Sequence, residues 1–142
     1  MAKLNRADMK TLIVDDQITN RCDLEKLLKG MGFVHIDQAP DVEKASRKIE
    51  ATLYNIVFLD WNMPGRSGYN LLQQCRGERK YDNTAFVIVS SESGNRYIIE
   101  ALKAGATAYI VKPAVEDTLK KHMERVFSWI DQRTAASSTQ KT

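Results

Sequence analysis

The sequence has little of what commits a chain to an extracellular, membrane or nucleic-acid setting. Its two cysteines, Cys22 and Cys75, stand in helical patterns without the paired spacing of a zinc or redox motif, so both read as core or half-buried thiols. No apolar run reaches the roughly 18 residues of a membrane span, and no basic start leads into a secretory segment, so a cytoplasmic protein without a membrane partner is expected. The net charge of +3, with 27% of residues charged, is too small and too evenly spread to supply the clustered basic face that nucleic-acid binding requires. With 142 residues and 43% hydrophobic content, one domain with a sizeable core accounts for the chain.

What the sequence does have is a set of short apolar runs that stop at chemistry-bearing residues. Ile56, Val57, Phe58 and Leu59 are apolar without alternation and run into Asp60, after which Pro64-Gly65 forces a turn. Such a run suits a parallel strand covered on both faces, with a carboxylate held at its tip. Thr11 to Val14 ends in the same manner at Asp15-Asp16, Ala85 to Val89 at Ser90-Ser91, and Tyr109 to Val111 at Lys112-Pro113. A single Asp at a strand end also serves as a turn residue or helix N-cap, and Asp15-Asp16 could be a capping pair. The tips gain meaning together, because ligands of open α/β sheets bind outside the carboxyl ends of the strands.

Between the strands the spacing predicts helices. Thr19 or Asn20 can cap a first helix carrying Leu24, Leu27, Leu28 and Met31, ended by Gly30 and Gly32. A half-polar edge strand is predicted at 33–37, a second helix over 41–51 with Val42, Ala45 and Ile49 inward, and a third over 67–76 burying Leu71, Leu72 and Cys75. A solvated connection at 77–80 leads to the fourth strand, and a helix over 94–104 uses Ile98, Ile99 and Leu102 before Gly105 stops it. A long amphipathic helix follows through Val115, Leu119, Met123, Val126, Phe127 and Ile130. Residues 1–9 are expected as a flexible lead-in, 10–131 as the domain and 132–142 as a disordered tail. Five strand–helix units imply right-handed crossovers and a flavodoxin-like α/β fold, a five-stranded parallel sheet with helices on both faces. In the sheet order 2-1-3-4-5, Asp15, Asp16 and Asp60 would meet where the strand order reverses.

Asp15-Asp16, Asp60 within Asp-Trp-Asn-Met-Pro, Ser90, Tyr109 and Lys112-Pro113 follow one another in the order in which the chain resembles a response-regulator receiver domain, over nearly its whole length. The resemblance implies a two-component phosphorelay protein with Asp60 as phosphoacceptor and Mg2+ held by Asp15, Asp16, Asp60 and the backbone carbonyl of Asn62. It implies that Lys112 and Ser90 contact the phosphoryl group, that Ser90 and Tyr109 form a switch, and that Asn62 and Glu92 tune dephosphorylation. It also implies a cis Lys112-Pro113 bond, which the dipeptide alone does not favour. Residue chemistry agrees with the rest. Crowded carboxylates are relieved by a hard cation with oxygen ligands, an Asp can become an acyl phosphate, and an ammonium and a hydroxyl suit phosphoryl oxygens. Ser90 stands where the family more often has Thr, and Gln17 is polar where a close relative has an aromatic residue.

The partners implied are a histidine kinase or phosphotransfer protein and a downstream target protein. The target would dock on the surface of the fourth helix, fifth strand and fifth helix, possible processes being chemotaxis and motility control. The only catalysis expected is of the protein's own phosphorylation and dephosphorylation. A monomer is expected, with dimerisation on phosphorylation as the rival. Met1 and the lack of an output segment favour a free-standing receiver, and a fragment of a larger transcription factor or hybrid kinase is the alternative. A dehalogenase-type phosphatase would need an Asp where Asn62 stands. A flavin or nucleotide carrier would want a Gly- or Ser/Thr-rich loop in place of Asp15-Asp16-Gln17-Ile18.

Overall fold

The computed structural model describes residues 5–140, with side chains as far as residue 134. Strands β1 (Lys10–Val14), β2 (His35–Ala39), β3 (Ile56–Leu59), β4 (Ala85–Ser90) and β5 (Ala108–Val111) form one parallel sheet in the order β2-β1-β3-β4-β5. Helices α1 (Ile18–Gly30), α2 (Val42–Ala51), α3 (Gly68–Arg76), α4 (Asn95–Lys103) and α5 (Glu116–Gln140) alternate with them. This is the flavodoxin-like arrangement expected from the sequence, with β1 and β3 adjacent.

Successive side chains of a strand face opposite ways, and here both directions are covered. Leu12, Val57, Leu59, Phe86 and Ile88 pack with residues of α2, α3 and α4, including Ala45, Leu71, Leu72 and Ala101. Ile13, Phe58, Val87 and Ile110 pack on the other face with Leu24 and Leu28 of α1 and Leu119, Met123 and Val126 of α5. That is why the strand sequences other than the half-polar edge strand β2 show no alternation of polarity. Each large side chain buried in this way contributes about 1.5–3 kcal/mol, so the strand tips that follow are anchored by the best-packed part of the chain.

The pairing register aims the tips. Val14 lies opposite Leu59, so Asp15 and Asp60, the next residue on each strand, leave the sheet together. Ser90 lies opposite Val111, and the N–H of Lys112 donates to the Ser90 carbonyl at 2.8 Å. Helix ends follow local chemistry: the side chains of Asp41 and Ser67 accept from Lys44 N and Asn70 N to cap α2 and α3. Gly105, at φ 106°, takes the left-handed conformation that closes α4.

Several boundaries differ from expectation. The lead-in is not uniformly flexible: Asn5 caps a short 3-10 helix at Arg6–Asp8, Arg6 stacks over Phe127, and Met9 is buried, while residues 1–4 lie outside the described residues. Nor does the expected tail begin at 132. Helix α5 continues to Gln140, since after Pro113 the sequence contains neither Pro nor Gly to stop it; residues 141–142 lie outside the described residues. The edge strand is shifted to His35–Ala39 because Phe33 is used as a plug stacked on Phe127. Helix α1 starts at Ile18, so neither Thr19 nor Asn20 caps it. Cys75 is buried as expected, but Cys22 is exposed on the outer face of α1. On α4 the helix approaches the sheet through Ala101, fully buried, which leaves Ile99 and Leu102 in solvent.

Candidate functional site

Four strand ends supply the site. Asp60 follows β3, and its N–H donates to the Val14 carbonyl at 2.9 Å, which locks the β3 tip to β1. Asp15 follows β1, and its Oδ1 accepts from Gln17 N at 2.9 Å in a tight turn that presents Asp16 to solvent. Lys112 follows β5 and reaches back across the sheet top: its Nζ lies 2.9 Å from Asp15 Oδ2 and 3.3 Å from Asp60 Oδ2. The Lys112–Pro113 peptide bond is cis. A crevice of about 280 Å³ opens beside them, lined by Asp15, Asp60, Lys112, Asn20, Asp23 and Pro113 among others.

Burial makes these charges strong. Asp15 is 5% exposed and Asp60 7%. Burial, opposed by Lys112 and reinforced by Asp15, pushes the Asp60 carboxyl from 3.8 up to about 6; the backbone amide of Asn62 donates to it. Burial alone would pull the Lys112 ammonium down, but its hydrogen bond to Asp15 and the charges of Asp60 and Asp15 outweigh that and hold it above its ordinary value. One ligand oxygen from each of Asp15, Asp16 and Asp60 lies within 4.8 Å of the others. Three carboxylates against the single ammonium of Lys112 leave two negative charges uncompensated by it. An all-oxygen donor set with surplus negative charge fits a hard divalent cation such as Mg2+ and suits no soft metal.

Around this centre the other sequence-predicted residues are close at hand. Ser90 is fully buried, and its Oγ accepts from Glu92 N at 3.1 Å. The Tyr109 ring is packed inward, with its hydroxyl donating to the Glu92 carbonyl at 2.6 Å. Asn62 Nδ2 donates to Glu92 Oε1 at 3.3 Å, so those two side chains meet above the site. Three features escaped the sequence. Trp61 stacks on Tyr69 at 4.6 Å and meets Tyr97 edge-on at 5.4 Å, filling the space between the Asp60 loop and α4; an aromatic beside a strand-tip Asp was the available signal. Arg21 Nη1 donates to the Asp15 carbonyl at 2.7 Å. Gly68 lies against the Asp60 carbonyl.

The fold and the constellation define a receiver of the two-component type. The chain belongs to the response regulator receiver domain family, whose model matches residues 11–124. It is 34% identical over 123 residues to the chemotaxis protein CheY of Pseudomonas aeruginosa, covering 87% of this chain and 99% of that one. It is 36% identical over 126 residues to chemotaxis protein CheY-3 of Vibrio cholerae, covering 89% and 96%. Among solved structures it is similar to Vibrio cholerae CheY4 at TM-score 0.76 and 29% identity, covering 83% of this chain and 98% of that one. It is also similar to a CheX–CheY–BeF3–Mg complex from Borrelia burgdorferi, at TM-score 0.78 and 29% identity, covering 84% and 89%. Among the described residues no helix is long and apolar enough to cross a membrane.

Proposed function

We propose that the protein is a response regulator that accepts a phosphoryl group on Asp60 from a histidine kinase or phosphotransfer protein and then binds a target protein, in chemotaxis or motility control. The observation that carries this is the Lys112 ammonium bridging Asp15 and Asp60 at 2.9 and 3.3 Å, in a carboxylate cluster that fits a hard cation. Asp15, Asp16, Asp60 and the backbone carbonyl of Asn62 would hold Mg2+, which when bound supplies positive charge to the transferring phosphoryl oxygens. An Asp60 carboxylate oxygen attacks phosphorus. A P–O bond forms as the donor's P–N bond, or its P–O bond in a small acyl phosphate donor, breaks, and the leaving group departs with the bonding electrons. Lys112, already desolvated, is placed to move from Asp60 to a phosphoryl oxygen, and Ser90 Oγ to exchange its bond from Glu92 N for a donated bond to the same group. Moving Ser90 would disturb the ground around Tyr109, whose hydroxyl is held by the Glu92 carbonyl, and bias a two-state surface of α4, β5 and α5.

The chain spans 99% and 96% of the two chemotaxis relatives, which supports a receiver acting by docking. Exposed Ile99 and Leu102 of α4, next to the exposed Lys103 on the same helix, suit an acidic amphipathic target segment. Intact-mass analysis after incubation with acetyl phosphate tests the reading: a phosphoryl adduct is expected with magnesium and none with chelator. Labelling that ignores chelation would remove the metal role of Asp15 and Asp16. Light scattering with and without beryllofluoride then separates docking from dimerisation, a monomer being expected in both.

The juxtaposed Asn62 and Glu92 side chains are polar, Asn62 exposed and Glu92 half-buried, so a water can approach the phosphorus in line. Spontaneous loss of the adduct within minutes is therefore expected, and Glu92→Leu should prolong it several-fold. A variant adduct that decays at the wild-type rate would show that Glu92 does not shape water access.

A further inference from the structure

The β1–α1 connection that carries Asp15 and Asp16 lacks the usual helix-start device. Gln17 stands at the N-cap of α1 with no side-chain cap hydrogen bond, and no acid occupies the first turn. A side chain one turn into α1 holds the connection instead. Arg21 Nη1 donates to the Asp15 carbonyl at 2.7 Å, and Arg21 Nε donates to Gln38 Oε1 on β2 at 3.0 Å. Gln38 Nε2 donates to Glu25 Oε1 at 3.0 Å, and Glu25 pairs with Lys29 at 3.1 Å. The hydrogen bond from Gln38, then that from Lys29, holds the Glu25 carboxyl below its ordinary value, so it stays an acceptor. This fixes the Gln38 amide one way round, with its nitrogen on the carboxylate and its oxygen on the guanidinium. On the other side, Asp15 N–H donates to the Ala39 carbonyl at 3.2 Å. Both backbone polar groups of Asp15 are tied to β2, the N–H directly and the carbonyl through Arg21 and Gln38.

We propose that Arg21 is a positioning residue for the acidic pair: its guanidinium, aligned by Gln38, sets the Asp15 backbone and through it the directions of the Asp15 and Asp16 carboxylates. The inference rests on the reading of Asp15, Asp16 and Asp60 as the magnesium site. The two Asp15 carboxylate contacts, Gln17 N at 2.9 Å and Lys112 Nζ at 2.9 Å, both depend on where that backbone lies. Arg21 is also a positive charge beside an acidic cluster, and the two roles have opposite signs. As a charge alone it would weaken cation binding, so its removal would tighten binding and lysine would replace it without loss. As a fork it cannot be replaced by lysine, whose point-like ammonium does not span the Asp15 carbonyl and Gln38 Oε1 in one plane.

Isothermal titration of magnesium into the full chain, with Trp61 fluorescence as a second readout and thermal unfolding alongside, distinguishes these. Arg21→Lys is expected to weaken magnesium binding by about tenfold. Gln38→Ala, which leaves every charge in place, should weaken it in the same direction, and the double variant should be less than additive because both act through one network. Unchanged or tighter binding in Arg21→Lys, with only Tm lowered, would make Arg21 a brace of the fold and overturn the proposal, as would unchanged binding in Gln38→Ala. A wild-type chain that gives neither heat nor fluorescence change removes the magnesium site and the positioning role with it, a different result from a responsive wild type with unaffected variants.

Discussion

Asp60→Asn is expected to take up no phosphoryl group under conditions that label the wild-type chain, and to be the more stable of the two proteins at neutral pH. The first expectation is chemical: an amide of nearly the same shape has no carboxylate oxygen to attack phosphorus. The second follows from burial, which with the charge of Asp15 outweighs Lys112 and lifts the Asp60 carboxyl from 3.8 to about 6. An acid whose folded value exceeds its unfolded value holds more protons folded than unfolded, so its contribution to stability falls as pH rises between those values and is least favourable above them. A rise of about two units corresponds to at most about 3 kcal/mol. Urea unfolding in chelator should therefore show the Asn variant ahead by about 1–3 kcal/mol at pH near 7.5, with the gap shrinking towards pH 4. A variant no more stable than wild type at the higher pH would contradict the burial account; an adduct on the variant would contradict the assignment of Asp60.

The same comparison shows where the chain accepts instability. Asp60 sits at the end of four fully or nearly fully buried residues, Ile56 to Leu59, between two helical layers. A carboxylate in that position is disfavoured when ionised, yet its rigid mounting is what keeps its oxygens near those of Asp15 and Asp16. Apolar packing on both faces of β3 offsets the unfavourable charge.

The fold was legible because four of the five strands were apolar runs without alternation, β2 was a short half-polar edge, and each helix kept one apolar stripe, so element type and order could be read from periodicity alone. Boundaries were less so where a tertiary partner overrode local pattern. Phe33 has strand character but is claimed by Phe127 on α5, a residue far along the chain. Ile99 and Leu102 fit an inward stripe, but the small Ala101 sets how α4 approaches the sheet and turns them outward. At the site, residues that carry charge at strand tips were identifiable from their positions. Those that hold the tips were not: Arg21 acts on a backbone carbonyl, and Gln38 is a neutral side chain on an edge strand that reads as solvent-facing. Neither use leaves a trace in composition or spacing. Gly68 left a weaker trace, a glycine directly after a capping Ser67, where a better helix former would serve.

Gly68→Ala is expected to lose about 3 kcal/mol or more of stability and to lose phosphoryl uptake with it. Local preference points the other way, since alanine exceeds glycine as a helix former by about 1 kcal/mol inside a helix. Space decides. Gly68 opens α3, and its N–H donates to the Trp61 carbonyl at 3.0 Å, so the loop leaving Asp60 folds back onto its own start. A Cβ at Gly68 would stand 2.0 Å from the Asp60 carbonyl oxygen and 3.0 Å from its carbon. Both atoms are backbone of the proposed phosphoacceptor, on a tip already bonded to β1, so no rotamer change relieves the clash. Either α3 moves off the sheet and exposes Leu71 and Leu72, or the Asp60 peptide turns and carries its carboxylate away from Lys112. Gly30→Ala is the control: a Cβ at Gly30 meets nothing within 4 Å, at the far end of α1. That variant should unfold within about 1 kcal/mol of wild type and label normally. Urea unfolding and intact-mass labelling of both variants decide the matter, and a Gly68→Ala protein indistinguishable from Gly30→Ala in both would mean that the Asp60 loop does not close on α3 as described.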